Sequence, residues 1–163
     1  MRRIVRYAVL PLALLGATPA PPDPYLSHLT GKWNVSGTIL GKPVHQSAQA
    51  RWVLDRQFLL LHFEGAYSAD VYIGYDPVRK RYVEHWLDVT GAAGATAVGF
   101  GERNGLSITF RYAYLDGPFI NAMTYDPATD TWRIHYATQD SSRRWRTFGD
   151  ETLARPSREA AAP

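Results

Sequence analysis

Leu106-Ser107-Ile108-Thr109-Phe110-Arg111-Tyr112-Ala113-Tyr114 alternates large apolar or aromatic side chains with small or polar ones. A period of two places Leu106, Ile108, Phe110, Tyr112 and Tyr114 on one face of a β-strand, with Ser107, Thr109, Arg111 and Ala113 on the other. Thr131–Gln139 repeats the pattern, Trp132, Ile134, Tyr136 and Thr138 opposing Arg133, His135 and Ala137. Beyond residue 30 no stretch holds a helical period for three turns.

Outward from these two stretches, the chain breaks at Gly41-Lys42-Pro43, Asp55-Arg56, Asp76-Pro77, Gly91–Gly94, Asn104-Gly105, Asp116-Gly117-Pro118, Asp126-Pro127 and Ser141-Ser142. The runs between these turns predict ten strands, at 32–40, 44–54, 57–64, 70–76, 80–89, 95–103, 106–115, 119–126, 131–139 and 143–152. Short connections make consecutive strands antiparallel neighbours. An open meander would leave two unpaired edges, and closure removes them. The expectation is an all-β fold, a closed antiparallel up-and-down barrel of about ten strands. Asp23–Leu29 adds a short helical turn, with Leu26 and Leu29 on one side.

The ends read differently. Met1–Tyr7 is basic, Ala8–Ala17 is apolar around Pro11, and Thr18-Pro19-Ala20 is small, which are the parts of a secretory signal peptide. The apolar run is too short for the ~20 residues of a spanning helix. The expected organisation is a signal peptide over 1–20, a linker and helical turn over 21–30, the barrel over 31–152 and a flexible tail over 153–163. This implies a periplasmic or secreted product with no stable membrane anchor after cleavage. The formal charge of +3 rests on Arg2, Arg3 and Arg6, so the remainder balances and nucleic acid is not an expected partner. No Cys is present, which removes disulfides, thiolate metal sites and cysteine nucleophiles.

Residue patterns give few chemical leads. The five His residues lie in separate elements without metal-ligand spacing, and no metal is expected. Gly-x-Ser-x-Gly is absent, and Gly99-Phe100-Gly101 has no following helix to bind a phosphate, reading instead as a strand that lets an aromatic pack on it. Tyr82, Glu84, Trp86 and Asp88 share one face of their strand. If it faces inward, two carboxylates enter the core and need partners such as Arg111. Because Asp and Glu are seldom fully buried, the outer face is the expectation for these acids, although the sequence does not orient the strand. His62 and Glu64 share a face of the third strand. The candidate pocket residues are His62, Glu64, Glu84, Trp86 and Arg111.

Gly31-Lys32-Trp33 after a helical turn, Trp52-Val53-Leu54 before Phe58-Leu59-Leu60, and Tyr72-Ile73-Gly74-Tyr75-Asp76-Pro77 resemble a bacterial branch of lipocalin-like (calycin) barrels, itself distantly similar to nitrobindin and fatty-acid-binding proteins. The resemblance covers about residues 26–152. It implies that Gly31 and Trp33 close one end of the lumen, that Gly74, Tyr75, Asp76 and Pro77 form a structural turn, and that a basic residue of the last strand, Arg144 or Arg146, lies across Trp33. Nitrobindin-like barrels bind heme through a late His. Here the nearest is His135, whose context departs from that pattern, and no cofactor is expected.

Aromatic residues form 13% of the chain, and ten strands enclose more space than side chains fill. The functional expectation is an exported binding protein holding a small apolar or amphipathic molecule in its lumen. The alternatives are a small barrel enzyme (isomerase, cyclase or hydrolase) using acid/base residues in the cavity, and an envelope protein-interaction module with a filled lumen.

Overall fold

The computed structural model describes residues 21–93 and 97–157. Residues 1–20, and with them the expected signal peptide, lie outside the described residues, as do 158–163 of the expected tail. Ten strands follow α1 (Pro24–Ser27): β1 (Gly31–Ile39), β2 (Lys42–Val53), β3 (Phe58–Glu64), β4 (Ala69–Asp76), β5 (Arg81–Asp88), β6 (Val98–Asn104), β7 (Ser107–Tyr114), β8 (Gly117–Asp126), β9 (Thr131–Gln139) and β10 (Trp145–Ala154). Each pairs antiparallel with its neighbours in sequence, and β1 pairs with β10 to close the barrel. The seam runs from Asn34 opposite Ala154 to Ile39 opposite Gly149. Gly37 is required there, since a Cβ at that position would strike the backbone of Asp150 and Glu151.

The alternation seen in the sequence sorts side chains by wall. Trp33, Val35, Ile108, Phe110, Trp132, Ile134 and Leu153 are buried inside. Lys32, Asn34, Ser36, His45, Gln49 and Arg51 face out and are exposed or nearly so. Over β1 and β2 the wall is thus polar outside and apolar inside, the inverse of a lipid-facing strand pair.

The two ends differ. At one end α1 folds under the barrel: Asp23 caps it by accepting from Leu26 N at 2.9 Å, and Tyr25, Leu26 and Leu29 are buried against the core. Tyr82 and Tyr25 fasten this plug, donating to Asp23 Oδ2 at 2.8 Å and to Leu106 O at 2.7 Å. Trp33 lies over the plug with its indole N–H donating to Leu29 O at 2.6 Å. The cation above it is Arg155, 3.6 Å from the ring centroid, and not Arg144 or Arg146, both of which pair with Asp140 in the β9–β10 turn. The barrel end explains the difference. Arg144 and Arg146 belong to the opposite end, whereas Arg155 follows β10 out beside Gly31 and donates to the carbonyls of Thr30 and His28. Arg155 also bonds Asp130 at 2.9 Å, so residues 153–155 belong to the barrel rather than to a tail. Gly31, at φ +109°, is the residue that leaves room for that guanidinium.

The Gly74–Pro77 turn is structural. A Cβ at Gly74 would press on the Phe58 ring, and Asp76 Oδ1 accepts from Val78 N and Arg79 N at 3.0 Å each. Tyr75 lies half-exposed against Tyr82.

Candidate ligand-binding lumen

The end opposite α1 is open, and a cavity of about 630 Å³ runs inward from it. Small-molecule sites occupy roughly 300–1,000 Å³. At the mouth Ile39, Leu40, Pro43, Val44 and Phe148 form an aliphatic and aromatic rim. Phe148 reaches the lumen because β10 carries an irregularity between Thr147 and Gly149 where the register with β9 shifts. Deeper in, Phe63 stacks on Trp86 at 5.6 Å, Trp86 meets Tyr136 edge-on, and Tyr112 stacks on Tyr114 at 5.4 Å.

The cavity ends on a polar belt. Glu84, Asn121 and Glu151 are the buried polar or charged residues among those described, and all three are in it. Glu84 is 0% exposed, with Tyr112 OH donating to it at 2.6 Å and Asn121 Nδ2 reaching its two oxygens at 2.9 and 3.0 Å. Across the lumen Glu151 accepts from Tyr136 OH at 2.9 Å and from Gln46 Nε2 at 3.3 Å. Burial pushes the Glu84 carboxyl up to about 8, only partly offset by the bonds from Tyr112 and Asn121. Burial raises Glu151 as well, against the bond from Tyr136. Among the described residues no cation joins the belt, and the one basic lining residue is Lys42, at the exposed mouth. Nearer solvent, Asp88 accepts from Tyr67 OH, Thr90 N and Thr90 Oγ1, while Trp86 Nε1 donates to Tyr67 OH at 2.8 Å.

Of the candidate pocket residues, the structure places Trp86 on the lumen wall and Glu84 on the inner face of β5, just behind Asn121 and Tyr112. The face of β5 that carries Tyr82, Glu84, Trp86 and Asp88 is the inner one, which corrects the expectation of solvated acids. Neutral donors, rather than Arg111, make burial of Glu84 tolerable. His62, Glu64 and Arg111 lie on the outer wall. His62 pairs there with Asp70 at 2.6 Å, and Arg111 shares a surface groove with Arg81, Phe100 and Glu102. Phe63 and Phe110 claim the inner positions of their strands, and the period of two sends these polar neighbours outward. Sequence reasoning missed Asn121, Tyr136 and Glu151. The face shared by Trp132, Ile134 and Tyr136 was legible, but nothing local marks Asn121 or Glu151.

None of the five His residues lines the cavity, and His135 pairs on the outer wall with Asp150 at 2.8 Å. The lumen residues therefore do not fit an imidazole-ligated heme. Among the described residues no group of three or more His, Asp or Glu is arranged to hold a metal ion.

Gly99 shapes the belt from β6. A Cβ there would stand 2.6 Å from the Tyr112 ring, whose hydroxyl holds Glu84. Gly99→Ala should displace that ring and destabilise the protein by about 1–3 kcal/mol, read as a lower denaturant midpoint. An unchanged midpoint would show that the Tyr112 ring has room to move.

The class these features define is a closed ten-stranded antiparallel barrel with a plugged floor and an open lumen, compatible with the calycin or lipocalin-like fold. No protein-family model matches the chain, and no curated protein matches it.

Proposed function

We propose that this protein is an exported member of the lipocalin-like barrels that holds one small apolar or amphipathic molecule in its lumen. The observation that carries the reading is the cavity of about 630 Å³ at the open end, walled by aromatic and aliphatic side chains and floored by a few fixed polar groups. Such a combination gives affinity by burial and orientation by hydrogen bonding. Export rests on the leader-like residues 1–20 alone.

Two features favour binding over the enzymatic alternative. His62 and Glu64 are outside the lumen, so they form no acid/base pair with Glu84. Glu84 itself stands behind Asn121 and Tyr112 rather than on the cavity wall. The unfilled lumen speaks equally against a purely structural interior.

The test is titration with N-phenyl-1-naphthylamine, a neutral apolar dye that brightens on leaving water. Saturable brightening at one dye per barrel is expected, with at least tenfold weaker binding to Val44→Trp, which fills the mouth. No saturable binding, or undiminished binding to that variant, would overturn the reading.

A further inference from the structure

We propose that the polar end of the lumen's ligand is a protonated amine, seated head-down between Asn121 and Glu151 with its apolar part toward the mouth. This rests on the binding reading above and specifies the ligand's chemical class.

The first observation is an unmet acceptor. Asn121 is 1% exposed and lies on the cavity wall, its Nδ2 is committed to Glu84, and its Oδ1 has no donor among the described residues. A buried carbonyl left without a donor costs about 1–3 kcal/mol, which a ligand N–H would relieve. The second is the charge pattern. Glu151 lines the inner end of the cavity and Glu84 stands just behind its wall, and every group bonded to them is neutral: Tyr112 from β7, Asn121 from β8, Tyr136 from β9 and Gln46 from β2. Glu151 accepts two hydrogen bonds where a carboxylate has about four lone-pair sites. A ligand carboxylate would meet the Glu151 carboxyl and, among the described residues, no cation there, whereas an ammonium supplies up to three donors.

The third observation is the wall. Trp86, Phe63, Tyr112 and Tyr136 surround the inner end of the cavity with ring faces and edges. Aromatic faces attract a cation, by about 2 kcal/mol or more where it is desolvated. Toward the mouth the lining turns to Ile39, Leu40, Pro43, Val44, Phe119 and Phe148, which suits the ligand's apolar part.

The experiment displaces N-phenyl-1-naphthylamine with decylammonium, decanol and decanoate, each below its aggregation concentration. Decylammonium should bind about tenfold tighter than decanol, or better, as one charge-assisted hydrogen bond implies, with decanoate weakest. Glu151→Gln should erase the advantage of the amine and leave decanol binding intact, which shows that the variant is folded. Decylammonium affinity for the wild type should also rise from pH 6 to 9, as Glu84, raised to about 8 by burial, loses its proton just behind the wall while the amine keeps its own. Equal affinities, or decanoate binding tightest, would overturn the amine assignment and leave the carrier reading standing. Failure of all three to displace the dye would overturn the carrier reading along with it.

Discussion

Trp33→Ala should be the most damaging single truncation in the barrel, costing on the order of 3–5 kcal/mol. For a chain of this size that lowers Tm by roughly 10 °C or more. The indole is 1% exposed, and three separate interactions meet on it. Its N–H holds Leu29 O and so pins the segment that follows α1. Its face carries the Arg155 guanidinium, which itself reaches Thr30, His28 and Asp130 and ties the end of β10 to the start of β1. Its body packs in the buried cluster with Tyr25, Leu26 and Leu29. Removing it leaves a cavity at the floor, an unmet carbonyl and an Arg155 without its platform. Thermal unfolding followed by circular dichroism measures the loss, and an unchanged Tm would refute the closing role assigned to Trp33.

Glu84→Gln should change how stability depends on pH. The ordinary value for this carboxyl is 4.5, and burial raises it to about 8 in the folded barrel. Between these values the unfolded chain has released the proton while the folded chain keeps it. Stability therefore falls as pH rises through the window, and the full penalty, on the order of a few kcal/mol, is present above pH 8. Glutamine is a neutral replacement of the same shape and carries no such penalty. The variant should show a flatter profile from pH 5 to 9 and exceed the wild type at the alkaline end. Asp130 acts with the opposite sign, since its bond to Arg155 holds it below the usual carboxylate range, and Asp140 is lowered by the Arg144 and Arg146 side of its turn. Their contributions fall away in acid, below the diagnostic window. Glu151 is raised like Glu84 and stays in the variant, so a shallow slope remains. Denaturant midpoints across that pH range supply the measurement, and parallel profiles for the two proteins would contradict the buried, neutral Glu84.

The fold was legible because it follows from local rules. A period of two and turn residues at short intervals define strands, and the dislike of unpaired edges closes them. The same rules read Leu26 and Leu29 as one side of a turn, and Gly99 as the companion of an aromatic. The site was legible only where one strand revealed its own inner face. A shared strand face is all that makes His62 and Glu64 pocket candidates. Yet Leu61 and Phe63 hold the inward positions of β3. The belt was illegible because its members come from β2, β5, β7, β8, β9 and β10, and what joins them is barrel closure rather than spacing. Arg155 was hidden for the same reason: which barrel end a residue occupies is a property of the closed sheet, and Arg144 and Arg146 occupy the other one.

The chain contains five Trp residues, which makes their indole N–H resonances a map of where a ligand sits. Trp86 lines the lumen, Trp33 and Trp132 are buried in the closed half, and Trp145 is half-exposed at the start of β10. In a 15N–1H spectrum, decanol should shift the Trp86 indole signal progressively to saturation while those of Trp33 and Trp132 hold still. Shifts confined to Trp52 and Trp145, or none at all, would contradict the lumen as the binding site.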